Sequence, residues 1–151
     1  MVSGTETKLP LSQSAALVVL LVRGAMSFAR SGEDEFQRWL RALRLHGDAG
    51  RALQGLGVGE KPLVDGFASS LPHALRIPLG AQAVPIVLER ARKCAAASGI
   101  DRVGTPELLV AVIQAYGDIS TGALQASGTS TGELLERVAA RRSAAGRSAA
   151  G

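Results

Sequence analysis

Two histidines, one cysteine and a few acids are the residues of this 151-residue chain most able to do chemistry. His46 stands directly before Gly47-Asp48, and His73 lies in a proline-containing stretch. A zinc site needs His, Cys or carboxylates at short fixed spacings, because several ligands must meet one ion. Neither histidine has such a partner, and no His-x-x-x-His pair occurs. Cys94 sits near Ala91 and Ala95 in a helical run, where a small buried residue is expected rather than a nucleophile. Gly55, Gly57 and Gly59 lead to Lys61 without the spacing, or the following Ser/Thr, of a phosphate-cradling GxxxxGK[ST] loop. Asp48 and Asp118 occupy similar Gly-Asp pairs, which reads as helix capping in two places rather than an acid pair. The expectation is a protein with no catalytic set, no metal and no cofactor. Tyr116 ends a helix beside a turn, where a phenol can stand half exposed at a binding surface.

Composition narrows the class. Hydrophobic residues make up 46% and aromatics 3%, with Ala and Leu abundant. That balance favours helices, since Ala and Leu lose little on entering one. A lone cysteine forms no internal disulfide, so a reducing cytoplasm is the default. The net charge of +4 suggests nucleic acid only at first sight. Arg137, Arg141, Arg142 and Arg147 follow the last acid, Glu136, and the remainder carries 13 basic and 13 acidic residues. A neutral body without a basic face interleaved with aromatics argues against a base-stacking platform. The apolar run Ala15 to Val22 is far shorter than the roughly 20 residues of a membrane span. With only Lys8 before it and no small-residue cleavage site after it, a buried helix is the better reading.

Two stretches resemble each other: HGDAGRALQGLGV (His46 to Val58) and YGDISTGALQASGT (Tyr116 to Thr129). Ser31-Gly32 matches Ser98-Gly99 at an offset of 67, as AALVVLL (Ala15 to Leu21) matches QAVPIVL (Gln82 to Leu88). WLRAL (Trp39 to Leu43) matches LLVAV (Leu108 to Val112) at 69, and the first pair at 70 and 71. The shared order points to an internal duplication.

Each half reads as four helices. In the first, a helix from about Ser12 to Arg30 carries Leu17, Leu20, Leu21, Met26 and Phe28, with Ser12 as N-cap and Gly32 as its stop. Asp34 caps a second, with Phe36, Trp39, Leu40 and Leu43 on one face and Trp39 in the core. A third holds Ala49, Ala52, Leu53 and Leu56 before Gly57, and a fourth near Pro62 holds Leu63, Phe67 and Leu71. In the second half the helices run from about Ala81 to Ala97 with Pro85 near the start, from Thr105 (N-cap) and Pro106 to Ala115, from Asp118 to Gly128, and from Thr131 through Leu134, Leu135 and Val138. The expected fold class is all-α, an eight-helix bundle of two pseudo-symmetric four-helix repeats. Its parts are an extension (1–10), a double repeat (11–140, divided as 11–71, a linker 72–79, and 80–140) and a flexible Arg/Ala/Ser/Gly tail (141–151).

The half-repeat of long helix, Gly, a Val-Gly-Thr-x-x-Leu-Leu helix, then Gly-Asp and Ala-Leu-Gln before Gly resembles the N-terminal domain of Clp-type AAA+ unfoldases. VGTPELLVAVI (Val103 to Ile113) with GALQASGTS (Gly122 to Ser130) carries the clearest likeness, and RALQGLGVG (Arg51 to Gly59) a looser one. The likeness spans about Leu11 to Ala140. It implies a non-catalytic module that docks a Clp ATPase, an adaptor, a substrate protein or a hydrophobic peptide, in or regulating Clp-dependent degradation as adaptor, regulator or decoy. It equally suits the N-terminal domain of a full-length Clp ATPase. From another class, a helical DNA-associated regulator could use the basic tail.

In the family, glutamates of a Gly-Thr-Glu-His motif help hold phosphorylated arginine in some members. Here Pro106 and Gln37 take those places, so a hydrophobic peptide is the implied ligand. The expected site is the seam between halves: Leu11, Ser12 and Gln13; Leu79, Gly80 and Gln82; Gln37; Thr105, Pro106 and Glu107; and Tyr116. A cytoplasmic monomer, away from membrane and nucleic acid, completes the expectation.

Overall fold

In the computed structural model, residues 9–59 and 79–150 are described, with side chains to residue 141. They are all-helical: α1 Gln13–Met26, α2 Gly32–Arg44, α3 Gly47–Gly55, α4 Ala83–Ala97, α5 Thr105–Tyr116, α6 Asp118–Ala126 and α7 Thr131–Ala150. A 3-10 turn, Gly80–Gln82, leads into α4. The expected helix near Pro62 and all of the linker except Leu79 lie outside the described residues. α7 carries helical backbone through the segment read as a flexible tail.

The helix boundaries follow from caps. Ser12 accepts from Ala15 N–H (3.1 Å) and starts α1 as expected. The first helix is shorter than its apolar pattern, closing at Met26 with Ser27 as C-cap. Gly32 does not end it but begins α2. Ser31 caps that helix through Asp34 N–H (3.0 Å), and Asp34 reaches back to Arg30 N–H (3.1 Å). This reciprocal pair commits residues 30–34 to a helix start, so Ser31-Gly32 and Ser98-Gly99 are not equivalent: Ser98 is the C-cap of α4. The N-cap of α5 is Gly104, not Thr105, and Ser130 rather than Thr131 caps α7 by accepting from Glu133 N–H (3.1 Å). Asp48 is engaged by Arg51 (3.3 Å) instead of a backbone amide. In both Gly-Asp pairs the glycine makes the turn, with φ +65 at Gly47 and φ +50 at Gly117.

Phe36, Trp39, Leu43, Leu53, Leu108, Leu109 and Leu124 are wholly buried. Each such side chain contributes roughly 1.5–3 kcal/mol relative to exposure. α5 lies at the centre, touching α1, α2, α3, α4, α6 and α7. Packing crosses between the halves: α3 leans on α5, and α6 on α2. α3 and α6 end alike. Leu56, Gly57 and Val58 N–H bond to Ala52, Gln54 and Leu53 carbonyls, and Ser127, Gly128 and Thr129 N–H to Ala123, Gln125 and Leu124.

Candidate functional site

The expected seam residues fall into three groups, and most are spent on internal bonds. At the entry to α1, Leu11 and Val103 form an isolated parallel bridge. Ser12 N–H donates to Val103 O and Val103 N–H to Pro10 O, both at 2.8 Å. Residues 10–12 are thereby tied to the loop before α5.

The second group centres on Glu35, which the sequence reading missed. Its side chain is 1% exposed. Oε1 accepts from Leu79 N–H (2.9 Å) and from the Tyr116 hydroxyl (2.9 Å), and Oε2 accepts from Gly80 N–H (2.8 Å). Three donors satisfy a carboxylate that burial would otherwise penalise heavily. Tyr116 is therefore not half exposed: it is buried, with its ring edge-on to Phe36 at 5.9 Å. Burial pushes the phenol above its ordinary range. The Glu35 charge and their hydrogen bond add to this, and the Trp39 indole opposes it.

The third group joins α5 to α3. Thr105 Oγ1 accepts from Ala49 N–H (3.2 Å). A Cβ on Gly47 would lie 2.5 Å from that same oxygen, so only glycine admits the approach. Glu107 Oε1 accepts from Gly104 N–H (2.7 Å), and Glu107 and Pro106 are both buried. Gln13 and Gln82 are exposed and Gln37 is half-buried. Counted from each N-cap, Glu33, not Gln37, takes the place in α2 that Pro106 takes in α5. Glu33 lies one helical turn before Gln37 and is buried.

What the seam leaves open lies beside it. A groove of about 510 Å³ runs between the end of α1 and the start of α4, lined by Arg23, Met26, Ala29, Gly80, Val84 and Pro85. Adjoining it, α1 exposes an apolar face: Leu20 is 67% exposed, Leu21 49%, Leu17 42%, and Phe28, just past the helix, 70%. The valines of the same run, Val18, Val19 and Val22, face inward. A signal for this was available, because α1 has one charged residue, Arg23, and so lacks a polar outer stripe.

A second hollow, between α4 and the end of α5, is lined by Glu89, Arg90, Lys93, Cys94 and Gln114. Cys94 is half-buried there, not fully buried. His46 is the N-cap residue of α3 without a side-chain capping bond, and His73 lies outside the described residues. Among the described residues no three His, Cys, Asp or Glu side chains are placed to hold a metal ion. No helix among them is long and apolar enough to cross a membrane. A scan against protein-family models found no matching family, and no curated protein matches the sequence significantly.

Proposed function

We propose that the chain is a non-catalytic binding module of the Clp N-terminal type, which holds an apolar peptide or protein segment along α1 and the neighbouring groove. The exposed Leu17-Leu20-Leu21-Phe28 face carries this reading. Monomeric domains rarely leave a contiguous apolar patch without a partner or ligand for it. The groove lies at the C-terminal end of the same helix, between Met26 and Ala29 on one side and Val84 and Pro85 on the other, which gives an extended segment somewhere to lie.

The double-repeat reading gains support from the helix order, long, medium, short, in α1–α3 and again in α4–α6. The like ends of α3 and α6 and the crossed packing of α3 on α5 and α6 on α2 add to it. On this reading the seam residues serve as scaffold. Glu35 and Thr105 fix the halves against each other, and the ligand lies beside them. The chain would then act in, or regulate, Clp-dependent degradation as adaptor, regulator or decoy. The direct assay adds the chain to a Clp ATPase with its peptidase and follows turnover of a model substrate. A change in turnover that disappears with Leu20→Glu/Leu21→Arg supports the reading. No change at saturating chain, or a change the variant retains, sinks it.

A further inference from the structure

Three arginines stand around the glycine turn that ends α3, and among the described residues none is paired. Arg137 Nη1 and Arg141 Nη2, one turn apart on α7, come to 3.0 and 3.9 Å from where a Cβ on Gly55 would lie. Arg44, from the last turn of α2, places Cδ at 3.0 Å and Nε at 3.8 Å from the Cβ position of Gly59. Among the described residues none of the three guanidiniums lies within ion-pair distance of a carboxylate. The Nε atoms of Arg44 and Arg141 are also shut off from solvent with no acceptor. Buried donors of this kind are normally satisfied, and each exception calls for an explanation.

Neutralising the negative end of α3 is the plainest alternative. It leaves the donors unexplained. The Ala52, Leu53 and Gln54 carbonyls already accept from Leu56, Gly57 and Val58 N–H, and among the described residues no arginine N–H reaches a carbonyl there. The matching turn of α6 has the same backbone bonds and carries Ala126 and Ser130 where the α3 turn has Gly55 and Gly59. Gly55 and Gly59 leave the room into which these side chains fold. Planar guanidinium forks set around one short turn suit an oxyanion that can accept several N–H donors at once.

We propose that Arg44, Arg137 and Arg141 form a binding site for a phosphate-class oxyanion, either free or carried on a protein side chain. The site is independent of the apolar face on α1. The test is an amide and arginine-Nε NMR titration of the full chain with inorganic phosphate, against chloride at matched ionic strength. The proposal expects saturable shifts at Gly55, Gly57, Val58, Gly59 and the arginine Nε–H groups. It expects affinity about tenfold or more weaker in R137Q/R141Q, with shifts elsewhere unchanged to show that the fold is retained. R38Q, which removes an arginine already paired with Asp34 at 3.1 Å, should bind as the parent does. A phosphoserine peptide identifies the source. Tighter binding than free phosphate marks a protein-borne group, and weaker binding a free anion. Linear shifts equal to those with chloride, undiminished affinity in R137Q/R141Q, or equal binding by the unphosphorylated peptide would each overturn the proposal.

Discussion

α1 and α4 bury the same pattern and show opposite outer surfaces. Ala15, Val18, Val19, Val22 and Met26 face the core of one, and Val84, Val87, Leu88, Ala91 and Ala95 face the core of the other. The two sets share one spacing, 69 residues apart. Where α1 presents Leu20, Leu21 and Gly24 outward, α4 presents Glu89, Arg90 and Lys93. α4 is thus an ordinary amphipathic surface helix, with an i,i+4 pair between Glu89 and Lys93 at 3.3 Å. Core packing needs only the inner face, so the fold does not account for the outer leucines of α1. The difference between the helices separates what holds the domain together from what it offers a partner.

The sharpest break of this comparison puts a carboxylate on the shared inner face. Val18→Asp and Val87→Asp each bury an unpaired charge, which costs about 3–5 kcal/mol or more, a large share of a typical domain's stability. Both should lose most helical signal by circular dichroism, and to a similar degree. Grafting the outer surface of α4 onto α1, with Leu20→Glu/Leu21→Arg, should shift the unfolding midpoint by the equivalent of only about 0.5 kcal/mol or less.

The turns offer a second comparison. Gly47 and Gly117 both have positive φ, but a Cβ on Gly47 would meet Thr105 Oγ1 at 2.5 Å, while one on Gly117 meets open space. Gly47→Ala adds displacement of Thr105 to backbone strain, for about 2–3 kcal/mol, and Gly117→Ala carries strain alone, nearer about 1 kcal/mol. Equal losses in urea unfolding would contradict the close approach of α3 to α5.

A smaller effect isolates the Glu35 hub. Tyr116→Phe removes one hydrogen bond at about 1 kcal/mol. It also alters the alkaline limb of stability. The folded phenol titrates above its ordinary value of about 10, so the unfolded chain gives up its proton first as pH rises. Stability from this group is therefore complete below about pH 10 and declines above it. Urea midpoints from pH 9 to 11 should fall more steeply for the parent than for Tyr116→Phe. Parallel curves would mean the phenol is not buried beside Glu35.

Much of the local structure was legible in single residues. Ser12 as N-cap, Pro85 in the first turn of α4, Gly57 and Gly128 as stops, and Trp39 in the core all follow from conformational preference. Register was not legible. Matching Trp39–Leu43 to Leu108–Val112 gives an offset of 69, whereas the N-caps Ser31 and Gly104 stand 73 apart. The discrepancy of four is about one helical turn, which preserves an apolar stripe and so leaves the pattern unable to tell the two apart. It is why Gln37 was set against Pro106 in place of Glu33. The unbroken run Ala15–Val22 posed the same difficulty, because periodicity cannot choose an inner face when every residue is apolar. Glu35 with Leu79 and Gly80, and Thr105 with Ala49, join residues 44 to 56 apart, and no local spacing announces such partners.

The central claim is that α1 and its groove take an apolar segment while the charged outer face of α4 does not. An NMR titration with an apolar peptide, following amides and leucine methyls, tests it most directly. The account predicts saturable shifts at Leu17, Leu20, Leu21, Phe28, Val84 and Gly80, little dependence on moderate salt, and their loss in Leu20→Glu/Leu21→Arg with the remaining spectrum intact. Shifts centred on Glu89, Arg90 and Lys93, or binding retained by that variant, would contradict it.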